Sequence, residues 1–280
     1  MKAFDTVEEV ARLEGDPFSL EAWEDYACRI SPALPKKVRD DASSYEYERE
    51  ILPVIRAALA DKEKLKEVQR SFAAAVRPLP ERLALIGCPD LQVDIILYLG
   101  LCNGAGWATE LENRKVILLG IEKIIELGWT DETAMKALLY HEAGHICHGT
   151  LRTVPALEAA GPREYSMRQL YEEGMAMYAE QLLCGDFGFY HQDKDGWLGW
   201  CEEHRESLFR EWIRRMDGEE STADFFGDWR SYDGHSDVGY FLGCEWIKDL
   251  LTRKSFRDAA NLSLDELEAE LYRIVAGMSP

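Results

Sequence analysis

The sequence lacks several things that would place it quickly. No apolar run approaches the length of a membrane span; Ile95-Ile96-Leu97-Tyr98-Leu99 is only as long as a strand. The stretch from Met1 to Glu9 has no apolar core of signal-peptide length, which sets the expectation of a cytoplasmic chain. Cysteine is thinly spread. Cys28, Cys88, Cys102, Cys147, Cys184, Cys201 and Cys244 are odd in number and contain no C-x-x-C pair, which argues against a disulfide scaffold and for reduced thiols, mostly small buried hydrophobes. Positive charge is in deficit: 32 Lys and Arg against 52 Asp and Glu leave a net charge of −20. Nucleic acid and anionic membrane surfaces are therefore not expected as partners. Repeats and low-complexity tracts are absent.

What is present is ample material for a core, with 46% hydrophobic residues in a chain of 280. Residues 1–80 read as helical and charged. Ser19–Ile30, Tyr45–Leu59 and Asp61–Val76 carry helically spaced apolar residues, broken at Pro32 and Pro35 and stopped at Pro78 and Pro80. No chemistry is visible there, so this segment reads as a covering or partner-binding lobe.

Near residue 90 the period changes. Leu91–Leu101 is rich in β-branched and large apolar residues, Asn103-Gly104 marks a tight turn, and Ala105–Thr109 reads as a return strand. Glu112-Asn113 is a second turn and Lys115–Leu119 a third strand. The expectation is a small antiparallel meander, with an edge that an extended peptide can join.

After it comes His141-Glu142-Ala143-Gly144-His145, an H-E-x-x-H motif in an apolar stretch. Two histidines four apart share one helix face, so both imidazoles can reach one metal ion, and the adjacent glutamate can serve as general base on water. Thr130 is the expected N-cap and Gly149 the expected stop, giving a helix from about Asp131 to His148. The metzincin pattern is excluded, because it needs Gly and His where His148 and Leu151 stand. His148 and Cys147 read as bystanders.

Catalytic zinc usually takes three protein ligands. A second helix, expected from about Met167 to Cys184 behind a capping box at Ser166, carries Glu172, Glu173 and Glu180. Glu173 and Glu180 share a face with Ala176 and Met177, and Glu172 lies about a third of a turn away. The residues alone leave Glu173 and Glu180 as competitors.

Glu173-Gly174-Met175-Ala176-Met177-Tyr178 resembles the E-G-x-A-x-Y stretch of gluzincin metallopeptidases, the thermolysin and aminopeptidase-like clan. The resemblance implies that Glu173 is the third zinc ligand and that Glu180 supports it within the helix. Tyr240-Phe241-Leu242-Gly243 resembles the Y-x-x-G segment of the same group, which implies that the Tyr240 hydroxyl stabilises the oxyanion of the tetrahedral intermediate. His235 is the other candidate donor. There are departures. The stretch from His145 to Glu173 is longer than in the aminopeptidases, so residues 150–165 must loop out. The G-x-M-E-N signature is missing, and Asn103-Gly104-Ala105-Gly106 does not replace it.

Further on, Asp193-Lys194-Asp195-Gly196 is rejected as a calcium loop, since its twelfth position is His204. Trp197, Trp200, Trp212, Phe225, Phe226 and Trp229 read as packing rather than as a pocket lining. The sequence therefore leads to an α+β, predominantly helical protein: a helical lobe over 1–80, then a zincin-like domain over 81–280. That domain comprises the sheet and active-site helix (81–149) and a helical lobe (150–280). It is expected to bind one Zn2+ through His141, His145 and Glu173, and to cleave a peptide or protein substrate with Glu142 as base. The alternatives are a zinc hydrolase of a non-peptide or N-acyl substrate and a catalytically silent helical binding protein.

Overall fold

The computed structural model describes residues 1–15, 18–227 and 229–278. The fold is α+β and predominantly helical, with fourteen α-helices and one four-stranded sheet among the described residues. The chain divides into two units, one formed by Met1–Ala84 with Pro89–Ile146 and the other by Leu85–Cys88 with Cys147–Pro280. Residues 1–80 share the first unit with the sheet. Among the described residues no helix is long and apolar enough to cross a membrane.

In the first unit the strands are β1 (Lys2–Asp5), β2 (Asp94–Tyr98), β3 (Gly106–Leu111) and β4 (Arg114–Gly120), in the order β1-β2-β4-β3. The expected antiparallel meander is corrected to a mixed sheet. Only β3 and β4 are antiparallel; β2 runs parallel to both β1 and β4. β2 and β4 occupy the middle and are buried over Ile95–Tyr98 and Val116–Gly120, the unbroken apolar runs of strands covered on both faces. Parallel neighbours cannot be joined by a tight turn. Asn103-Gly104 therefore belongs to a connection that carries the chain across the end of β4 to the far edge, where β3 lies. The turn at Glu112-Asn113 does form a hairpin, with φ of 50° and 63° at the two residues, the left-handed pair of a type I′ turn. β1 escapes sequence reading because its four residues are all exposed and show no alternation.

Eight helices begin in this unit: α1 (Val7–Ala11), α2 (Leu20–Ile30), α3 (Leu34–Ala42), α4 (Leu52–Ala60), α5 (Lys62–Val76), α6 (Leu79–Arg82), α7 (Ile121–Leu127) and α8 (Glu132–Leu151). Ser19 and Asp61 cap α2 and α5, accepting the Ala22 and Lys64 amides at 3.1 and 3.0 Å. The buried face of α2 grips the end of β2. Trp23 Nε1 donates to the Leu99 carbonyl at 2.9 Å, and the Leu99 amide donates to Tyr26 Oη at 3.0 Å. Tyr26 in turn meets Thr6 Oγ1 at 2.7 Å, and Thr6 donates to the Leu97 carbonyl at 2.8 Å. The N-terminal helices thus satisfy backbone groups that would otherwise be buried unpaired where the strand ends.

The second unit holds the last turn of α8, then α9 (Pro162–Cys184), α10 (Trp197–Glu203), α11 (Arg205–Asp217), α12 (Val238–Leu251), α13 (Phe256–Ala259) and α14 (Leu264–Ala276). Its centre is the crossing of α9 and α12 at Gly174 and Gly243. A Cβ on Gly174 would stand 2.3 Å from the Gly243 carbonyl oxygen, and one on Gly243 would stand 2.5 Å from the Leu170 carbonyl oxygen. Only glycine lets the two backbones approach so closely. α14 begins with the capping box of Ser263 and Glu266.

Candidate metal centre

The motif helix α8 is longer than its sequence signals imply. Its cap is Asp131, whose Oδ1 accepts the Thr133 and Ala134 amides at 2.7 and 3.1 Å. Thr130 is used elsewhere, donating to Glu67 at 2.9 Å. Gly149 does not end the helix: the Arg152 amide still reaches the His148 carbonyl at 3.1 Å. The Arg152 guanidinium then fixes the C-terminal end by donating to the carbonyls of Ala260 and Leu262 at 3.0 and 3.1 Å. A glycine stops a helix when the chain needs a left-handed residue there, and here it does not.

On this helix the four-residue spacing has the predicted effect. His141 and His145 present their Nε2 atoms to each other at 3.1 Å. Two imidazoles on a tetrahedral zinc, with Zn–N of about 2.0–2.1 Å, place their nitrogens roughly 3.3 Å apart, so the pair is spaced as a chelate. Glu173 completes the set: one ligand atom from each of His141, His145 and Glu173 lies within 4.8 Å of the others. His141 is buried, and His145 and Glu173 are half-buried. Two imidazoles and one carboxylate form the donor set of catalytic zinc sites, so the residues present fit the ion the sequence implies.

Glu142, next to the first histidine, is 6% exposed. Its carboxylate lies against the edge strand: Oε2 accepts the Ala108 amide at 2.7 Å. A Cβ on Gly106 would stand 2.4 Å from Oε1, so that glycine makes room for the acid. Because Ala105 faces β4, its carbonyl accepting the Gly120 amide at 2.8 Å, the alternate residues Gly106, Ala108 and Glu110 turn their backbone groups outward.

α9 starts a full turn before its expected box. Pro162 occupies the first helical position behind an extended Gly161. Ser166 lies within the helix, its Oγ 3.1 Å from Thr222 Oγ1. The helix ends, as expected, at Gly185, with φ of 82°. Of the two competing acids, Glu180 is fully buried and meets His191 Nδ1 through both oxygens, at 2.9 and 3.0 Å. Glu173, not Glu180, belongs to the ligand group. His148 meets Tyr171: Tyr171 Oη donates to the Ala259 carbonyl at 2.7 Å, so its oxygen accepts from His148 Nε2 at 3.0 Å. Burial pushes the Tyr171 hydroxyl well above its usual range, which keeps it a neutral donor.

Tyr240 lies near the start of α12, one turn before the Gly243 crossing, with its ring edge-on to Phe226 at 5.2 Å. His235 is not in the ligand group. It sits in the turn bridged by Tyr232, Nδ1 donating to the Asp233 carbonyl at 3.1 Å, and its ring stacks on Trp200 at 3.9 Å. Sequence reasoning missed Gly106 and Ala108. The available signal was an isolated glycine inside a strand, which marks a close approach to the backbone. Trp212 and Phe225 prove to be fully buried core, and Trp229 is exposed.

No family model matches the chain, and neither a curated protein nor a solved structure matches it.

Proposed function

We propose that this chain is a zinc metallopeptidase of the gluzincin type, in which His141, His145 and Glu173 hold one Zn2+ and Glu142 is the general base. The observation that carries the reading is the ligand group itself, two imidazoles at chelating distance with a carboxylate beside them. When bound, the ion supplies a Lewis acid that polarises a carbonyl and makes water a stronger acid. Glu142 takes the proton of the attacking water and delivers it to the leaving amine. The Ala108 amide fixes the direction in which that carboxylate points. Tyr240, with His235 as the other donor, stabilises the oxyanion.

The substrate is a peptide or protein in extended form. β3 lies at the sheet edge, and its outward groups at Gly106, Ala108 and Glu110 offer a ladder. The Ala108 amide is committed to Glu142, so the peptide's register is set by the Gly106 and Ala108 carbonyls and the Glu110 amide. Seven scattered cysteines, odd in number and without a C-x-x-C pair, support a reducing, cytoplasmic setting.

The deciding experiment is elemental mass spectrometry on wild type, Glu173→Ala and Glu142→Gln, run alongside cleavage of an unfolded reporter protein. About one zinc per wild-type chain is expected, strongly weakened in Glu173→Ala. Glu142→Gln should keep the zinc and lose about 10²-fold or more of the cleavage rate. No metal in any protein, even with zinc supplied, would favour a silent binding protein. Zinc with cleavage of N-acyl amides but not of peptides would move the substrate class.

A further inference from the structure

We propose that Glu122, at the start of α7, is a positioning residue for Glu142, acting through the 100–105 connection and β3. The functional sense of the proposal rests on Glu142 being the base; the mechanical coupling does not. Glu122 is fully buried and its carboxylate works as a clamp. Oε2 accepts the Gly100 amide at 2.9 Å and Oε1 accepts the Cys102 amide at 3.0 Å. Cys102 is held at φ of 62°, a left-handed conformation that a non-glycine residue adopts at a cost and keeps when its surroundings fix it.

The same end of α7 holds the rest of the connection. The Gly120 amide donates to the Ala105 carbonyl at 2.8 Å, and a Cβ on Gly120 would stand 2.5 Å from the Gly104 carbonyl oxygen. From the other side, Asn103 Nδ2 donates to the Val38 carbonyl and to Asp41, both at 2.8 Å. Gly106, directly after Ala105, is the residue whose missing Cβ accommodates the Glu142 carboxylate, and two further on the Ala108 amide binds it.

One continuous run of backbone therefore touches two buried carboxylates. Gly100 and Cys102 bind Glu122, and Gly106 and Ala108 bind Glu142. Glu122 contributes no atom to the ligand group; what it fixes is where β3 begins. With the clamp loosened, Gly106 is free to shift by the few tenths of an ångström that decide whether the Glu142 carboxylate keeps its place.

Amide hydrogen exchange tests this on the full chain with no substrate, comparing wild type with Glu122→Gln and with Gly100→Ala. Glutamine sets an NH2 against one of the two donor amides. Alanine at 100 puts a Cβ 2.7 Å from Glu122 Oε1 and pushes the acid aside while leaving it in the sequence. The Ala108 amide should exchange about tenfold faster in both variants, while the Ile117 amide of the paired strand β4 changes less than about threefold. Zinc content should match wild type. Unchanged exchange at Ala108 in either folded variant would overturn the proposal. So would a parallel rise at Ala108 and Ile117, the mark of plain destabilisation. If the wild-type chain binds no zinc, the peptidase reading fails while the exchange result still decides the coupling.

Discussion

Gly106 has no side chain because Glu142 occupies the space one would need. Alanine there brings a Cβ within 2.4 Å of Oε1 and 2.7 Å of Cγ, and neither the strand nor the carboxylate can yield without breaking the Ala108 bond. Gly106→Ala is expected to cost about 1–3 kcal/mol of stability, as overpacking does, and, on the proposed reading of Glu142 as base, to lower turnover about 10²-fold by displacing its carboxylate. Zinc content should be unaffected, because His141, His145 and Glu173 are not touched. Thermal melting, metal analysis and reporter cleavage on one preparation would separate the three effects. Loss of zinc in this variant would show that the strand supports the ligand group and not only Glu142. At this scale the sequence was most legible where side chains make up the candidate metal group. A four-residue histidine spacing puts both imidazoles on one face of a helix, and the acid to join them could be narrowed to two positions. The Ala108 donor is a backbone amide and leaves no mark in the residue type. Glu122 looked like any acid in the first turn of a helix.

The elements were legible in kind and less so in extent. The helical spans of α2 and α5, read from Ser19–Ile30 and Asp61–Val76, follow from residue type, because a short polar side chain ahead of an apolar period favours a cap. Thr130 and Gly149 misled for the same reason: each has the chemistry of a boundary, and each was overridden by a neighbour, Asp131 as the better-placed acceptor and Arg152 as a tie beyond the glycine. The two glycines of the α9–α12 crossing make the point testable. Gly243→Ala sets a Cβ 2.5 Å from one backbone oxygen and 2.9 Å from the Gly174 nitrogen, so whole helices must separate. A loss of about 3 kcal/mol or more is expected. Gly149→Ala, in the right-handed helix with nothing within 4 Å of the new methyl group, should gain about 0.5–1 kcal/mol. Chemical denaturation of both variants checks the pair. A mild effect at 243 would mean the crossing is looser than the contacts require.

For the molecule as a whole, the boundary expected at residue 80 cuts across a single unit. Residues 81–280 alone would lack β1, the partner of β2 over Lys2–Asp5, along with Trp23 and Tyr26, which hold the Leu99 backbone. The cut would leave one edge of β2 open and its terminal backbone groups exposed or unpaired. The 81–280 fragment is therefore expected to be aggregated or to lack cooperative melting, measured by size-exclusion chromatography and circular dichroism. A monomeric fragment with a sharp transition would contradict this. The sequence could not show the dependence, because the partners are distant in the chain and β1 is too short and too exposed to register as a strand.

That first strand bears on how such a chain can be inherited. A genetic exchange that moved only the H-E-x-x-H half would deliver a sheet without its edge and a crossover without its anchor. The helices of the N-terminal segment supply no residue to the candidate ligand group, yet they are expected to travel with the motif as one heritable piece. Shuffled descendants should keep both parts or neither.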